Sequence, residues 1–168
     1  MKSLAHTRLR SVAERGFSLL EIIIVLTIMA VLAGASYPLL RNAVKRQREV
    51  ELRESLRELR QAIDAYKRLN DQTGGQAIPI QWRTKTGYPK ELKILVEGFI
   101  PANVVGTEGA RVRFLRHMPR DPMTDSEDWG LRGSDDPPDS TSWNGEDIFD
   151  VYTKADGVAL NGTEYRTW

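Results

Sequence analysis

Arg15-Gly16-Phe17-Ser18-Leu19-Leu20-Glu21 opens an almost unbroken apolar run that continues to Leu40. Residues 17–40 number 24, about 36 Å as an α-helix and enough for a hydrocarbon core of roughly 30 Å. The informative residue is Glu21. A carboxylate in such a helix costs roughly 2.5–3.5 kcal/mol at the bilayer centre, so an acid kept there implies a task and a partner. Two plainer readings compete. A simple single-pass anchor fits the length. An ordinary secretory signal fits Ala33-Gly34-Ala35 as a small-residue cleavage site, but Glu21 interrupts its apolar core and the helical pattern does not stop at Ala35.

Working outward, the leader before Phe17 is basic: Lys2, Arg8, Arg10 and Arg15 against Glu14 leave a net +3. Arg41, Lys45, Arg46 and Arg48 flank the far end of the run with as many cations, so charge alone leaves the membrane orientation undecided. Pro38 lies 22 residues into the chain counted from Phe17 and reads as a bend, because the pattern beyond it remains helical. Leu52, Leu56, Leu59, Ile63 and Tyr66 recur at spacings of 4, 3, 4 and 3, one apolar stripe on an otherwise charged helix. Barely two heptads long, it predicts a face for the protein's own sheet rather than a coiled coil. Glu49 with Arg53 and Asp64 with Arg68 are i,i+4 pairs in the favourable order. The helix is predicted over 17–69, stopped by Asn70-Asp71-Gln72-Thr73-Gly74-Gly75.

The remainder, residues 71–168, is acidic, with 16 acids against 11 bases. A domain that binds nucleic acid wants clustered cations, so that class is excluded as a partner. The absence of cysteine removes disulfide frameworks and thiolate sites. Gly87-Tyr88-Pro89, then Leu92, Leu95 and Val96, then Gly98-Phe99-Ile100-Pro101 reads as loop, short helix and turn. Strands are predicted over 129–132 and 148–153, the second with Ile148, Asp150 and Tyr152 facing away from Phe149, Val151 and Thr153. Between them runs a loop rich in Ser, Asp and Pro, centred on Asp135-Asp136-Pro137-Pro138, long enough to be functional or disordered. The fold class is α+β, a long helix over two or three short antiparallel strands.

A basic leader ending in Gly, then Phe, then an acid at the fifth position of the new N-terminus, then an apolar helix, resembles a type IV prepilin or a type II secretion pseudopilin. Tyr88-Pro89, the short helix and Pro119-Arg120-Asp121-Pro122 resemble the major (G-type) pseudopilin in particular. The resemblance implies a lollipop plan: leader 1–16, transmembrane or filament-core helix 17–40, amphipathic helix 41–70 and periplasmic head 71–168. It implies cleavage by a prepilin peptidase between Gly16 and Phe17, N-methylation of Phe17, and pairing of Glu21 with the terminal amine of a neighbouring subunit. It places the leader in the cytoplasm, the helix in the inner membrane and the head in the periplasm. The implied partners are further copies in a helical filament, an inner-membrane assembly platform with its ATPase, and minor pseudopilins. A type IV pilus pilin is the alternative within the superfamily. From another class, the rival is an anchored periplasmic binding module using Trp82, Trp129, Trp143 and Trp168.

The same resemblance implies a calcium ion in the tail loop, with Ala155-Asp156-Gly157 matching its start and Asn161 further along. The following positions depart from the pattern, and the spacing is not that of an EF-hand. Nothing points to catalysis. His117 is the one histidine beyond the leader, and no nucleophile elbow, phosphate loop or zinc-helix motif occurs.

Overall fold

The computed structural model describes residues 16–102 and 109–168, apart from the side chains of residues 35–40. The leader 1–15 lies outside the described residues, and the bend read at Pro38 falls among those undescribed side chains. The chain divides into two compact units, Met1–Arg41 and Asn42–Trp168.

Helix α1 (Leu19–Thr73) runs for 55 residues. It begins with the Ile22 amide bonded to the Ser18 carbonyl at 3.1 Å and carries Glu21 in its first turn. Four residues beyond the predicted end, it closes on a Schellman motif. The Gly75 amide reaches the Asn70 carbonyl at 2.7 Å and the Gly74 amide reaches that of Asp71 at 3.4 Å. Gly74 takes φ 57°, a conformation that glycine adopts without steric cost.

Among the described residues, no helix is long and apolar enough to cross a membrane. The apolar stretch whose side chains are described, residues 19–34, covers 16 positions, or about 24 Å of rise. The span read over 17–40 needs residues 35–40 as well, so it is not established by the structure.

In the second unit the apolar stripe is buried as predicted: Leu52, Leu59, Ile63 and Tyr66 are at 0% and Leu56 at 2% exposure. The two ion pairs read from spacing do not form. Glu49 turns inward to bond the tail, Arg53 stacks on Trp168, and no Asp64–Arg68 bridge occurs. Ion pairs that do form on helices among the described residues include Glu54–Arg57, Lys67–Asp71 and Lys93–Glu97.

Helix α2 (Lys93–Glu97) falls where the short helix was predicted and buries Ile94 and Leu95. Gly98 ends it at φ 64°, with its Cα so near the Val112 carbonyl that an added Cβ would lie 2.0 Å from that oxygen. This close approach lets Phe99 and Val112 exchange both backbone bonds, at 3.1 and 2.9 Å.

Strands β1 (Gly130–Arg132) and β2 (Asp150–Tyr152) pair antiparallel, with Gly130 opposite Tyr152, Leu131 opposite Val151 and Arg132 opposite Asp150. Both are shorter than predicted, and the sheet has two strands. The expected alternation is lost at Val151: Ile148 is buried, Phe149 exposed and Asp150 half-buried, but Val151, on the face of Phe149, is buried together with Tyr152 and Thr153. The cause is cover on both faces: Thr153 donates to the buried Asp121 carboxylate while Tyr152 lies under the Arg132 guanidinium, 4.2 Å from the ring centre. Asp121, the acid of the Pro119-Arg120-Asp121-Pro122 turn, is fully buried and also accepts from the Met123 amide at 2.8 Å. That turn is therefore a polar clasp under the sheet, with the Trp129 indole donating to the Pro119 carbonyl at 3.0 Å. Around Tyr66 the core is aromatic, with Phe114 at 5.5 Å and Phe99 at 6.0 Å, both edge-on.

Candidate functional site

The first unit presents its candidate site at the start of α1. Gly16 is exposed and has open space around it, so the Gly16–Phe17 bond stands clear of the fold. Phe17 is 79% exposed. Glu21 lies four residues on, which at 3.6 residues per turn sets it on the same side of the helix. The two side chains line one depression of about 240 Å³ with Ile22, Val25 and Leu26. A carboxylate in the first helical turn is also favoured by the helix dipole, by about 0.3–1 kcal/mol. Among the described residues Glu21 has no ion-pair partner.

Around this acid the helix is apolar on every side. Large hydrophobic side chains from Phe17 to Val31 stand exposed, with Leu20 at 66%, Ile23 at 52% and Leu26 at 60%. A helix apolar all round is one that other helices or lipid must cover. Its lone hydroxyl between Leu19 and Leu32 is already satisfied: Thr27 Oγ1 donates to the Ile23 carbonyl at 2.7 Å. Such back-bonding lets a threonine enter apolar surroundings without an unmade hydrogen bond.

The tail holds the other predicted site. Asp156 is paired with the Arg166 guanidinium, and its side chain is 87% exposed. The Asn161 Oδ1 accepts from the Thr163 amide at 3.1 Å and the Thr163 hydroxyl at 2.8 Å, closing its own turn. Among the described residues no group of three or more His, Cys, Asp or Glu side chains is placed to hold a metal. Calcium needs 6–8 oxygens, and here a guanidinium occupies the carboxylate it would need. As arranged, Asp156 and Asn161 do not fit a calcium ion.

What ties the tail down is Glu49. Its exposure is 7%, and its Oε1 accepts from the Leu160 amide and the Tyr165 hydroxyl, both at 2.9 Å. Burial, then the hydrogen bond and the charge of Glu49, push the Tyr165 hydroxyl up to about 12. Trp168 packs edge-on against Tyr165 at 5.4 Å and stacks under Arg53 at 4.1 Å. The signal for Glu49 was available in the sequence. Placed three before Leu52, it continues the stripe 52, 56, 59, 63, 66 backwards, so an acid stood on the buried face.

Two further buried groups escaped the sequence. Arg132 reaches Asp150, the Ser140 carbonyl and the Arg166 carbonyl, while Asp147 accepts from the Ser134 amide and hydroxyl and the Thr86 hydroxyl. Their partners are distant in sequence, and no spacing rule relates them.

Residues 12–37 match the prokaryotic N-terminal methylation motif, the leader of type IV pilins and pseudopilins. The match contains Gly16, Phe17 and Glu21 and covers the depression that brings the last two together. No curated protein and no solved structure matches the chain.

Proposed function

We propose that this chain is a filament subunit, a pseudopilin of a type II secretion system, made as a precursor and cleaved between Gly16 and Phe17. One observation carries the reading: the methylation motif coincides with a helix that sets Phe17 and Glu21 side by side amid uncovered apolar surface. Cleavage turns the Phe17 nitrogen into a cationic amine. When the apolar helices of neighbouring copies pack together, that amine meets the Glu21 carboxylate of the next copy. In a low-dielectric filament core the attraction far exceeds its value in water, although desolvation offsets much of the gain. Glu21 thus sets register between subunits, since an unpaired buried carboxylate disfavours every other stagger.

Before assembly the precursor sits in the inner membrane, with its leader in the cytoplasm and residues 42–168 in the periplasm. A prepilin peptidase processes it, and an assembly platform with its ATPase lifts it into the filament beside minor pseudopilins. The role is structural rather than catalytic. The secretion branch, as opposed to a type IV pilus, is supported by the Tyr88-Pro89 and Pro119–Pro122 segments. Both are built into the fold through the Pro89 carbonyl bond to the Ile148 amide at 2.8 Å and the Asp121 clasp. Substitution of Glu21 tests the proposal. Glu21→Ala should leave membrane fractionation intact and cut filament yield, counted by electron microscopy, by roughly tenfold or more, the cost of a buried charge left unpaired. Filaments at parental yield would refute the role.

A further inference from the structure

The outer face of α1 in the second unit carries a groove that the filament reading does not use. Arg53, Arg57 and Arg60 recur at i, i+4 and i+7, so they stand in one row. With Leu56 as floor, Trp168 as wall and Gln61 and Asp64 also in the lining, they border an open groove of about 440 Å³ whose three guanidiniums outnumber its one carboxylate. Arg60 is engaged inside the molecule, bonding Asp150 at 2.7 Å and the Val151 carbonyl at 3.1 Å. Arg53 only stacks on Trp168. Arg57 has a single long contact to Glu54, at 3.9 Å, with both side chains exposed. Two guanidiniums at this end therefore lack a close carboxylate among the described residues.

The opposite charge lies on the loop between β1 and β2. Residues 133–146 contain Asp135, Asp136, Asp139 and Glu146 and no lysine or arginine. Asp136 serves the loop itself, accepting from the Gly133 amide at 2.6 Å and the Asn144 amide at 3.3 Å. Asp135, Asp139 and Glu146 are exposed and make no side-chain contact with a cation among the described residues. The loop is held in place. Arg132 donates to the Ser140 carbonyl at 2.8 Å, Tyr152 to that of Thr141 at 3.0 Å, and Trp143 to that of Asp147 at 2.6 Å. Charges presented on an ordered loop lose little entropy on binding. The loop is tied to the Arg60 side of the groove through Asp150 and Arg132, yet none of its acids pairs with Arg53 or Arg57 of its own chain.

We propose that the Arg53–Arg57–Trp168 groove receives the acidic loop of a second copy of this chain, with Asp135 and Asp139 facing the two guanidiniums. Groove and loop are different patches, so the contact is heterologous, and repeating it extends an open array rather than closing a dimer. The inference rests on the filament reading. Rim charges of this kind steer approach and fix register more than they add affinity, and salt weakens them.

The absence of cysteine makes the test direct. Full-length chains carrying Arg57→Cys and, separately, Asp139→Cys are given different tags, co-expressed, assembled and oxidised. The expected product is the mixed disulfide dimer, in excess over either like-with-like dimer. In parallel, Arg57→Glu should lower filament yield several-fold, and Arg57→Glu with Asp139→Lys should recover it. If parental filaments form but no mixed dimer appears and Arg57→Glu assembles normally, the contact is refuted while the filament reading stands. If the parent forms no filament, both readings fall.

Discussion

The two halves of α1 share one continuous helix and obey opposite rules. From 52 to 66 a single stripe is buried to 0–2% exposure and every other face is charged, so the sequence specifies one partner surface and one rotation. From 19 to 34 the apolar residues ring the helix and stand exposed, so nothing in the chain itself selects a face. The second half is stabilised by its own head. The first half leaves its apolar side chains uncovered, and in the proposed filament its lone acid, Glu21, is the group that selects one arrangement of neighbouring helices over another.

The comparison breaks most visibly under truncation of leucines. Leu59→Ala, at a site with 0% exposure, should lower the stability of the second unit by about 2–5 kcal/mol in urea denaturation. Leu26→Ala, 60% exposed, should change that stability by no more than about 0.5 kcal/mol. Equal effects would contradict the difference in burial between the two sites.

The polar contact joining the helix to the tail comes next. Glu49→Ala leaves the Leu160 amide and Tyr165 hydroxyl without their acceptor and should cost about 1–3 kcal/mol, with faster hydrogen exchange across residues 158–168. The same contact is sensitive to alkali. Burial pushes the hydroxyls of Tyr66 and Tyr165 up to about 12 from an ordinary 10.0, the latter helped by Glu49. Stability tied to keeping them protonated is complete below about 10 and is lost as pH rises towards 12. Melting temperature should fall across that window, and Tyr165→Phe should flatten part of the fall. An unchanged profile in Tyr165→Phe would locate the titration elsewhere.

The smallest effect is expected at the Asp156–Arg166 pair. An exposed bridge is worth about 0–1 kcal/mol, so Asp156→Ala should shift melting only slightly, and equally in calcium and in chelator. A calcium-dependent rise in the parent, lost in Asp156→Ala, would show that the tail rearranges around a metal.

Local periodicity carried much of this structure. The stripe at 52–66, the stop at Gly74-Gly75 and the short helix at 93–97 follow from spacing and turn chemistry within a few residues of each other. Strand lengths and the alternation lost from Val151 onward did not, because cover on the second face comes from Asp121 and Arg132, residues set by tertiary contact. Glu49 fell between the two. Its place on the stripe was legible, but i,i+4 pairing with Arg53 offered an equally local explanation, and only the position of the tail decides against it. At the head of the helix the methylation motif was legible because it is a short stretch of linear sequence, independent of tertiary contacts.

The central claim meets its most direct test in the mass of the mature N-terminus, taken from cells that co-express a prepilin peptidase. Cleavage between Gly16 and Phe17 predicts a chain beginning at Phe17 with one added methyl group on its amine. A chain beginning at Ser36, after Ala33-Gly34-Ala35, or one that keeps its leader under those conditions, would contradict the account.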